Sequence, residues 1–358
     1  MPYPVHFLTG AGEEVRPVID PYIDPAGYFG RTPPTKISFV LVASGGLGLG
    51  GGGGGGGVLK VDDMDTNFIP INGARQLRNV ILVRVGSRAA KEGTNVGTQG
   101  EGCYLVTFKS DNSGQDQVYT AVGGGVGNVI DSRTTYRPGY PGGSGGGGGG
   151  FRPNAESEGG SGTAGQGRDG GAGSRYSVAL NSSRILYYVF KSGSGGGFSS
   201  AGVEGTNNFF QFSPARGGEG ISLAALGLPS GMVTLVRGNG TELPGYGSSH
   251  VASGGGGVCY APGGGSRVPS FYSGGTGGTG AGSARTNELS ATGFGCGSAF
   301  NPQAPTVFGK SGGGFAWIHY AGTPAALNYY YDQATNRTYH AFVHPLEDNS
   351  FSELLAIF

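Results

Sequence analysis

Two segments of the chain carry glycine, lysine and serine at spacings that proteins use to bind nucleotide phosphates. Residues 46–51 have the glycine spacing of a dinucleotide-binding turn and follow an apolar stretch. That turn holds a pyrophosphate because a helix N-terminus comes next, whereas six further glycines follow here. Residues 309–311 match the end of a phosphate-binding loop, but Ala304 stands where such a loop has its first glycine. We therefore predict no nucleotide site and no cofactor.

Other residue types that support catalysis or metal binding occur without the surroundings that either requires. Ser144 lies in a Gly-x-Ser-x-Gly pattern inside a glycine tract, without the strand and helix that expose a nucleophile. His340 and His344 occur in a strand-like stretch, which separates them by roughly 13 Å, too far to share one metal ion. Residues 62–65 could hold a hard cation, but we interpret them as a solvated acidic turn after a strand at 58–61. We predict that the protein is not an enzyme and binds no metal.

The three cysteines, Cys103, Cys259 and Cys296, are widely spaced and form no Cys-x-x-Cys pair. We interpret them as free, partly buried thiols rather than as metal ligands or redox groups. The N-terminus lacks the basic segment and the apolar stretch of a signal peptide. We therefore expect a protein that is made in a host cytoplasm, is released by lysis and acts on a virion surface.

Charge and apolar content exclude two classes of partner. The 23 basic and 23 acidic side chains balance to a formal net charge of zero, which removes the electrostatic basis for binding nucleic acid or an anionic membrane. No apolar stretch is long enough to span a bilayer, so we expect no insertion into a membrane. The remaining partners are other proteins and, through aromatic side chains, sugars.

Aromatic and arginine side chains interrupt the glycine tracts in three proline-containing islands, which we expect to be turns or loops. Rigid aromatic side chains and arginine provide contact area and charge-assisted hydrogen bonds at a small entropy cost, and aromatic faces suit sugar rings. The islands are our candidate receptor-binding site. The alternative is structural, because a core without side chains needs large residues to seal its ends. The candidates are Tyr136, Arg137, Tyr140, Phe151, Arg152, Tyr260, Arg267, Phe271 and Tyr272.

Glycine is the material that must position these side chains. It supplies 79 of the 358 residues, while charged residues make up only 13%. A disordered chain is normally poor in aromatic residues, yet this chain has 18 Tyr and 19 Phe. The composition therefore predicts a folded protein in which large side chains form a core over only part of the length.

Apolar, β-branched segments alternate with the glycine tracts and predict a mainly β fold with coil and little helix. The only helix-like stretches are 221–228 and 352–357. Residues 327–331 and 338–343 predict a hairpin joined around 332–336. The predicted strands are 36–44, 58–61, 79–85, 103–109, 117–122, 184–190, 208–212, 232–237 and 315–320, and the main glycine tracts are 45–57, 142–150, 159–173, 193–197, 254–257, 263–265 and 274–282.

A tract such as 50–57 cannot form a stable α-helix, because each glycine there costs about 1 kcal/mol. One interpretation is a flexible linker, but several tracts enter or leave strong strands, so both of their ends are held. The other is a bundle of polyproline-II-like helices with about three residues per turn. Without Cβ atoms, such helices approach closely enough for N–H and C=O groups of neighbouring tracts to pair. We predict that residues 45–57 and 142–150 are extended and packed on other glycine tracts.

The strand Ile-Ser-Phe-Val-Leu-Val-Ala at 37–43 runs into polyglycine, and the last glycine run leads into an apolar strand that contains Trp317. Over residues 36–321 this pattern resembles the glycine-rich domains of bacteriophage tail-fibre proteins, in particular the distal adhesins of T-even-type long tail fibres. The resemblance implies a sandwich of polyglycine helices whose connecting loops bind a receptor on the bacterial surface. The chain departs from that family in its N-terminal arm and in its many intervening strands.

The chain divides into three parts. Residues 1–35 hold seven prolines and predict an extended arm that attaches the protein to a fibre or particle. Residues 36–321 form the glycine-rich domain, and residues 322–358 form the hairpin followed by an apolar tail. An exposed apolar end is unfavourable, so the tail should dock on this domain or on another subunit.

We expect a virion-surface fibre or tail-tip protein that binds a host receptor, either a bacterial surface protein or a glycan. Its arm would join it to other virion proteins of the fibre, tail or capsid. The sequence is also compatible with a homo-oligomer. The alternative is a purely structural virion component, such as a head fibre, a decoration protein or a connector. A third alternative is a secreted ice-binding protein, which the aromatic content and the missing signal and disulfides disfavour.

Overall fold

The structure is a computed structural model in which every regular element of the described residues is a β-strand. This confirms the mainly β class. The described residues are 5–9, 34–66, 80–89, 99–107, 117–128, 138–149, 156–179, 186–205, 214–227, 232–237, 249–261, 271–274, 276–283, 289–300, 309–322, 330–343 and 353–357. The strands are β1 (Val5–Thr9), β2 (Lys36–Val42), β3 (Val58–Asp65), β4 (Val80–Arg84), β5 (Cys103–Thr107), β6 (Gln117–Ala121), β7 (Glu156–Ser157), β8 (Gly173–Ala179), β9 (Leu186–Lys191), β10 (Ile221–Ser222), β11 (Met232–Arg237), β12 (His250–Val251), β13 (Val258–Ala261), β14 (Phe271–Gly274), β15 (Phe315–Ala321), β16 (Tyr330–Asp332), β17 (Arg337–Val343) and β18 (Glu353–Ile357).

Residues 51–57 form the central rod of a glycine bundle. Residues three apart along this rod bond to the same neighbour, so the rod turns once in three residues, as polyproline II does. The N–H groups of Gly52 and Gly55 donate to the carbonyls of Gly193 (3.1 Å) and Gly196 (2.9 Å) in one neighbouring rod. Those of Gly53 and Gly56 donate to Ser298 (2.9 Å) and Gly295 (2.7 Å) in a second. Those of Gly54 and Gly57 donate to Gly125 (2.8 Å) and Val122 (2.7 Å) in a third.

Three further rods donate N–H groups to the carbonyls of the central rod, and the central rod is therefore enclosed on all sides. The donors include Ala43 to Gly57 (3.0 Å), Gly147 to Gly52 (2.8 Å) and Gly255 to Gly53 (2.8 Å). Pairing between rods satisfies the backbone groups that a buried glycine segment would otherwise leave without partners. The surrounding rods are 43–48, 122–128, 142–149, 192–197, 252–257 and 293–298.

The prediction of packed, extended tracts is therefore confirmed for residues 45–57 and 142–149, while residue 150 lies outside the described residues. The flexible-linker alternative is wrong for these tracts, because their residues are buried and bonded on several sides. The predicted tract 263–265 and the predicted strand 208–212 also lie outside the described residues.

One end of the bundle is closed by two facing sheets, which we call the apolar end. Their strand orders are β16-β17-β15-β2-β3 and β18-β4-β5-β6. Strand β2 is buried on both faces: Phe39 and Leu41 pack towards the second sheet, and Val40 lies in a separate core with Trp317. Since β2 and β15 continue directly into or out of glycine rods, this core holds the rod ends in place.

The first and the last described strands, β1 and β18, each pair with another strand of the chain. Strand β1 pairs antiparallel with β11 and lies near β17, and β18 pairs antiparallel with β4. The C-terminal tail therefore docks on this domain, one of the two alternatives left by its apolar sequence. The predicted hairpin is confirmed as β16 and β17, which pair from Tyr330 and Tyr339 to the turn after Asp332.

Two local predictions are wrong. The helix-like stretch 352–357 contains strand β18 instead, because a pairing partner is available in β4. In the stretch 221–228, residues 221–222 form β10, which pairs with β12, and residues 223–227 form hydrogen-bonded turns. The acidic residues 62–65 are not a turn but the second half of β3. They pair with β2 across a bulge, where Asp63 has φ 51°.

The opposite end of the bundle carries a five-stranded sheet in the order β14-β13-β9-β8-β7, which we call the distal sheet. Rod 192–197 follows β9 and runs parallel to the central rod, since Gly52 and Gly55 bond to Gly193 and Gly196 in ascending order. The central rod leads into β3 at the apolar end, so β9, which precedes the parallel rod 192–197, lies at the other end. Rod 252–257 runs antiparallel to the central rod and leads into β13 at that same other end.

Candidate binding end

The described residues include four of the nine candidate receptor-binding residues. Tyr140 is described with its side chain, whereas Tyr260, Phe271 and Tyr272 are placed by their backbone in strands β13 and β14. The expectation that these three residues lie in loops is wrong, because the two strands pair directly with each other. The remaining candidates, Tyr136, Arg137, Phe151, Arg152 and Arg267, lie outside the described residues.

Tyr140 lies on the flank of the bundle rather than on its end. Its N–H donates to the carbonyl of Val126 (2.9 Å), and its carbonyl accepts from the N–H of Gly146 (3.0 Å). The residue is therefore held between two rods while 38% of its surface is exposed. The structure does not bring Tyr140 together with Tyr260, which belongs to the distal sheet.

Four large residues occupy one register position across the distal sheet. Tyr272 is opposite Tyr260, Tyr260 is opposite Phe190, and Phe190 is opposite Arg175. Directly opposite residues of antiparallel strands share a face and have Cβ atoms about 5 Å apart. The row therefore spans roughly 14 Å from β14 to β8.

The same register assigns every residue of the distal sheet to one of two faces. The face with the row, which we call the aromatic face, also includes Tyr188, while Phe271 belongs to the opposite face beside Ala261. The candidate island around Tyr260 is therefore divided between the two faces. Phe190 and Arg175 were not among the candidates. Phe190 is connected to the island by its pairing with Tyr260, and Arg175 by its pairing with Phe190. The sequence predicted the strand 184–190 but not which strand it pairs with.

The bundle holds in place those ends of the distal-sheet strands that adjoin the glycine rods. The Gly205 N–H donates to the carbonyl of Ala172 (2.9 Å), and the Ser174 hydroxyl donates to the carbonyl of Gly205 (2.9 Å). On the aromatic face, a Cβ at Gly173 would lie 2.7 Å from the carbonyl carbon of Gly149. Farther from the bundle Phe190 is half-buried, and within the described part of the chain no strand of another sheet makes extensive contact with the distal sheet.

Charged groups reinforce the outer rods towards the end opposite the distal sheet. Glu219 accepts hydrogen bonds from the Thr279 N–H (3.0 Å) and hydroxyl (3.1 Å), and it pairs with Arg216. Burial would raise the pKa of Glu219, but the hydrogen bonds from Thr279 and the charge of Arg216 outweigh it and lower the pKa. This group connects two neighbouring rods and is structural.

The described cysteines are free and buried, as predicted for Cys103 and Cys296. Burial raises the pKa of Cys103 to about 12 and that of Cys296 to about 11, so neither thiol supplies a thiolate near neutral pH. Cys259 belongs to β13. In the ranges that the structure describes, no three His, Cys, Asp or Glu side chains are grouped to hold a metal ion, and no helix could cross a membrane.

Pairing of the strands thus aligns three aromatic residues and Arg175 at one register position of the distal sheet, at the end opposite β18. No protein-family profile, no curated protein and no solved structure matches this chain.

Proposed function

We propose that the protein is a virion-surface adhesin that attaches through its terminal strands and binds a host receptor with the end that carries the distal sheet. The observation that supports this most directly is that the two ends of the bundle carry different elements. Strand β18 belongs to the apolar end, and β1, which pairs with β11, lies near β17 of that end. The aromatic row belongs to the opposite end.

The bundle between these ends suits the task of presenting a surface at a fixed distance. Each rod is bonded to several others by backbone hydrogen bonds of 2.7–3.1 Å around the central rod. Binding residues positioned on such a rigid scaffold lose little entropy on contact with a receptor. The glycine rods in this way position the side chains without contributing side chains of their own.

A purely structural virion component remains the second candidate. It is favoured by one observation: Tyr260, Phe271 and Tyr272 belong to paired strands and not to loops, where aromatic residues commonly serve packing. In that case the distal sheet would contact a neighbouring virion protein. The two candidate functions differ in one respect: only an adhesin must bind the bacterial cell surface.

Adsorption blocking separates them. The purified full chain is mixed with cells of the host strain before the parent phage is added, and free phage is counted over time. An adhesin saturates the receptor and lowers the adsorption rate as its concentration rises, and a fluorescently labelled chain stains the same cells. A chain that neither stains the cells nor slows adsorption is not the adhesin, and the structural role then replaces it.

A further inference from the structure

Two open sheet edges lie next to each other at the apolar end. In the part of the chain that the structure describes, β3 is the last strand of one sheet and β6 is the last strand of the other. Gln166 bonds to both edges. Its backbone carbonyl accepts from the Val58 N–H of β3 (3.0 Å), and its side-chain amide donates to the Thr120 carbonyl of β6 (2.9 Å). The two edges therefore face the same side of the molecule.

Strand β3 has the features by which proteins prevent a sheet edge from pairing with another chain. Four charged residues along it, Lys60, Asp62, Asp63 and Asp65, are exposed. Its ladder with β2 is interrupted by a bulge, where Asp63 has φ 51°. The charges and the bulge make β3 a poor partner for a further strand.

Strand β6 lacks these features. It contains no charged residue and pairs with β5 without a shift of register. Val118 is 61% exposed, a larger fraction than that of any other large apolar residue that the structure describes. A regular, uncharged edge that is rich in β-branched and aromatic residues favours the addition of another strand.

The bonds of Gln166 indicate which backbone groups of β6 point away from β5. Its side-chain amide donates to the Thr120 carbonyl (2.9 Å) and accepts from the Val122 N–H (2.9 Å), as a residue of a neighbouring strand would. Backbone groups of a strand alternate in direction, so the N–H and C=O of Val118 also point away from β5. Gln166 occupies the place of a further strand only at the bundle end of β6, and the Val118 groups lie beyond it.

A second copy of the chain fits this edge beyond Gln166. Two β6 strands that pair antiparallel about a two-fold axis at Val118 exchange two N–H to C=O hydrogen bonds between the two Val118 residues. Directly opposite residues share a face of the sheet, so the two exposed Val118 side chains also cover each other. The same contact uses the same residues of both copies and closes at two.

Charge favours an antiparallel copy as well. Asp63 and Asp65 lie in the outer half of β3, whereas Lys60 lies in the inner half, next to the bundle. A two-fold axis reverses one β3 edge relative to the other, so the acidic half of each copy lies beside the half of the other that holds Lys60. The β6 strands themselves are uncharged, and like charges therefore do not oppose the pairing.

We propose that two copies of this protein form a dimer by antiparallel pairing of their β6 strands about Val118. Strand β6 leads into rod 122–128, which runs towards the distal sheet, so the two bundles point in opposite directions. Both apolar ends lie at the centre of the dimer, and the two distal sheets lie at its outer ends. This inference goes beyond the proposed function and holds for the adhesin and for the structural component alike.

The test measures the oligomeric state of the full chain by sedimentation velocity over a range of concentrations. The parent should be a dimer that dissociates on dilution. Val118→Lys places two ammonium groups opposite each other and removes the apolar contact, so it should weaken the dimer at least about tenfold. Val203→Lys is the matched control, because Val203 is also exposed (46%) but lies on a rod at the flank of the bundle. It should dimerise within about twofold of the parent.

A mixture of two variants tests the two-fold axis itself. Val118→Glu alone should also weaken the dimer, because two carboxylates then meet. Mixed with Val118→Lys, it should form a heterodimer, because residue 118 of one copy lies opposite residue 118 of the other and the two charges attract. If either variant melts earlier than the parent, the mixture decides, since restored dimerisation requires both folded chains.

Four results would overturn the proposal: a parent that stays monomeric at every concentration, a dimer that Val118→Lys leaves intact, equal weakening by Val118→Lys and Val203→Lys, or a mixture that forms no heterodimer. A monomeric parent would leave a strand of another virion protein as the occupant of the β6 edge. A dimer that both Val118 variants lose, and that their mixture restores, supports the pairing.

Discussion

Adding a single methyl group to the central rod should strongly destabilise the bundle. In Gly53→Ala, the new Cβ would lie 2.7 Å from the carbonyl carbon of Gly46 and 2.8 Å from that of Leu47, and closer still to the Gly46 carbonyl oxygen. These atoms are backbone and cannot rotate away as a side chain can. The substitution must therefore push rod 43–48 away from the central rod.

Separation of the two rods breaks the hydrogen bonds that join them. These are Gly46 N–H to Gly54 carbonyl (2.8 Å) and Ala43 N–H to Gly57 carbonyl (3.0 Å). All four groups are buried, and a buried polar group without a partner costs about 1–3 kcal/mol. We expect a loss of about 4 kcal/mol or more, a large part of the roughly 5–15 kcal/mol that stabilises a typical domain. The entropy gained by replacing glycine, at most about 1 kcal/mol, does not offset it.

Gly313→Ala is the matched control, since among the described residues its Cβ would approach only Cγ of Arg88, at 3.3 Å. That side chain can adjust, so the control should melt within about 1 kcal/mol of the parent. Unfolding is followed by circular dichroism in increasing denaturant. Equal midpoints for Gly53→Ala and Gly313→Ala would refute the close packing of backbone on backbone.

Three further changes test other parts of the molecule. Because burial raises the pKa of Cys103 to about 12, its thiol should not react with a disulfide reagent at pH 8 until denaturant is added; rapid labelling of the native chain at Cys103 would contradict its burial. Burial lowers the pKa of His319 to about 4, so its neutral form is favoured in the folded state, and stability should fall by up to ~2 kcal/mol as the pH falls from about 6.5 to 4; His319→Phe should flatten this part of the pH profile of the melting temperature. Replacing Arg267, Phe271 and Tyr272 together by Ala should abolish cell binding with little change in melting temperature, and a large drop in that temperature would mean that these residues close the fold.

Local sequence determined most of the elements. Segments 36–44, 103–109 and 315–320 are apolar and β-branched, and each contains a strand of the structure, because those side chains favour an extended backbone wherever a core is available. Polyglycine likewise predicted the rods, since a residue without Cβ can pack backbone on backbone. The predicted burial of free thiols at Cys103 and Cys296 followed from the same kind of local reasoning.

Pairing partners decided what the local pattern could not. Residues 353–357 look helix-like in sequence, yet they form β18 because β4 offers an unpaired edge. Residues 62–65 have the composition of a solvated turn, yet they continue β3 because β2 extends alongside, with Lys36 opposite Asp65. A strand depends on hydrogen bonds to a distant segment, and nothing in five local residues specifies that segment.

The candidate site likewise depends partly on the sequence alone and partly on the tertiary structure. The residue types were evident from the sequence, since Tyr260 and Tyr272 are aromatic residues flanking a glycine tract. Their alignment with Phe190 and Arg175, and the separation of Phe271 onto the other face, were decided by the tertiary structure. Strands β8, β9 and β13 emerge from different glycine rods, so the packing order of those rods sets which strands become neighbours. That order depends on backbone hydrogen bonds between glycines, which all look alike in sequence.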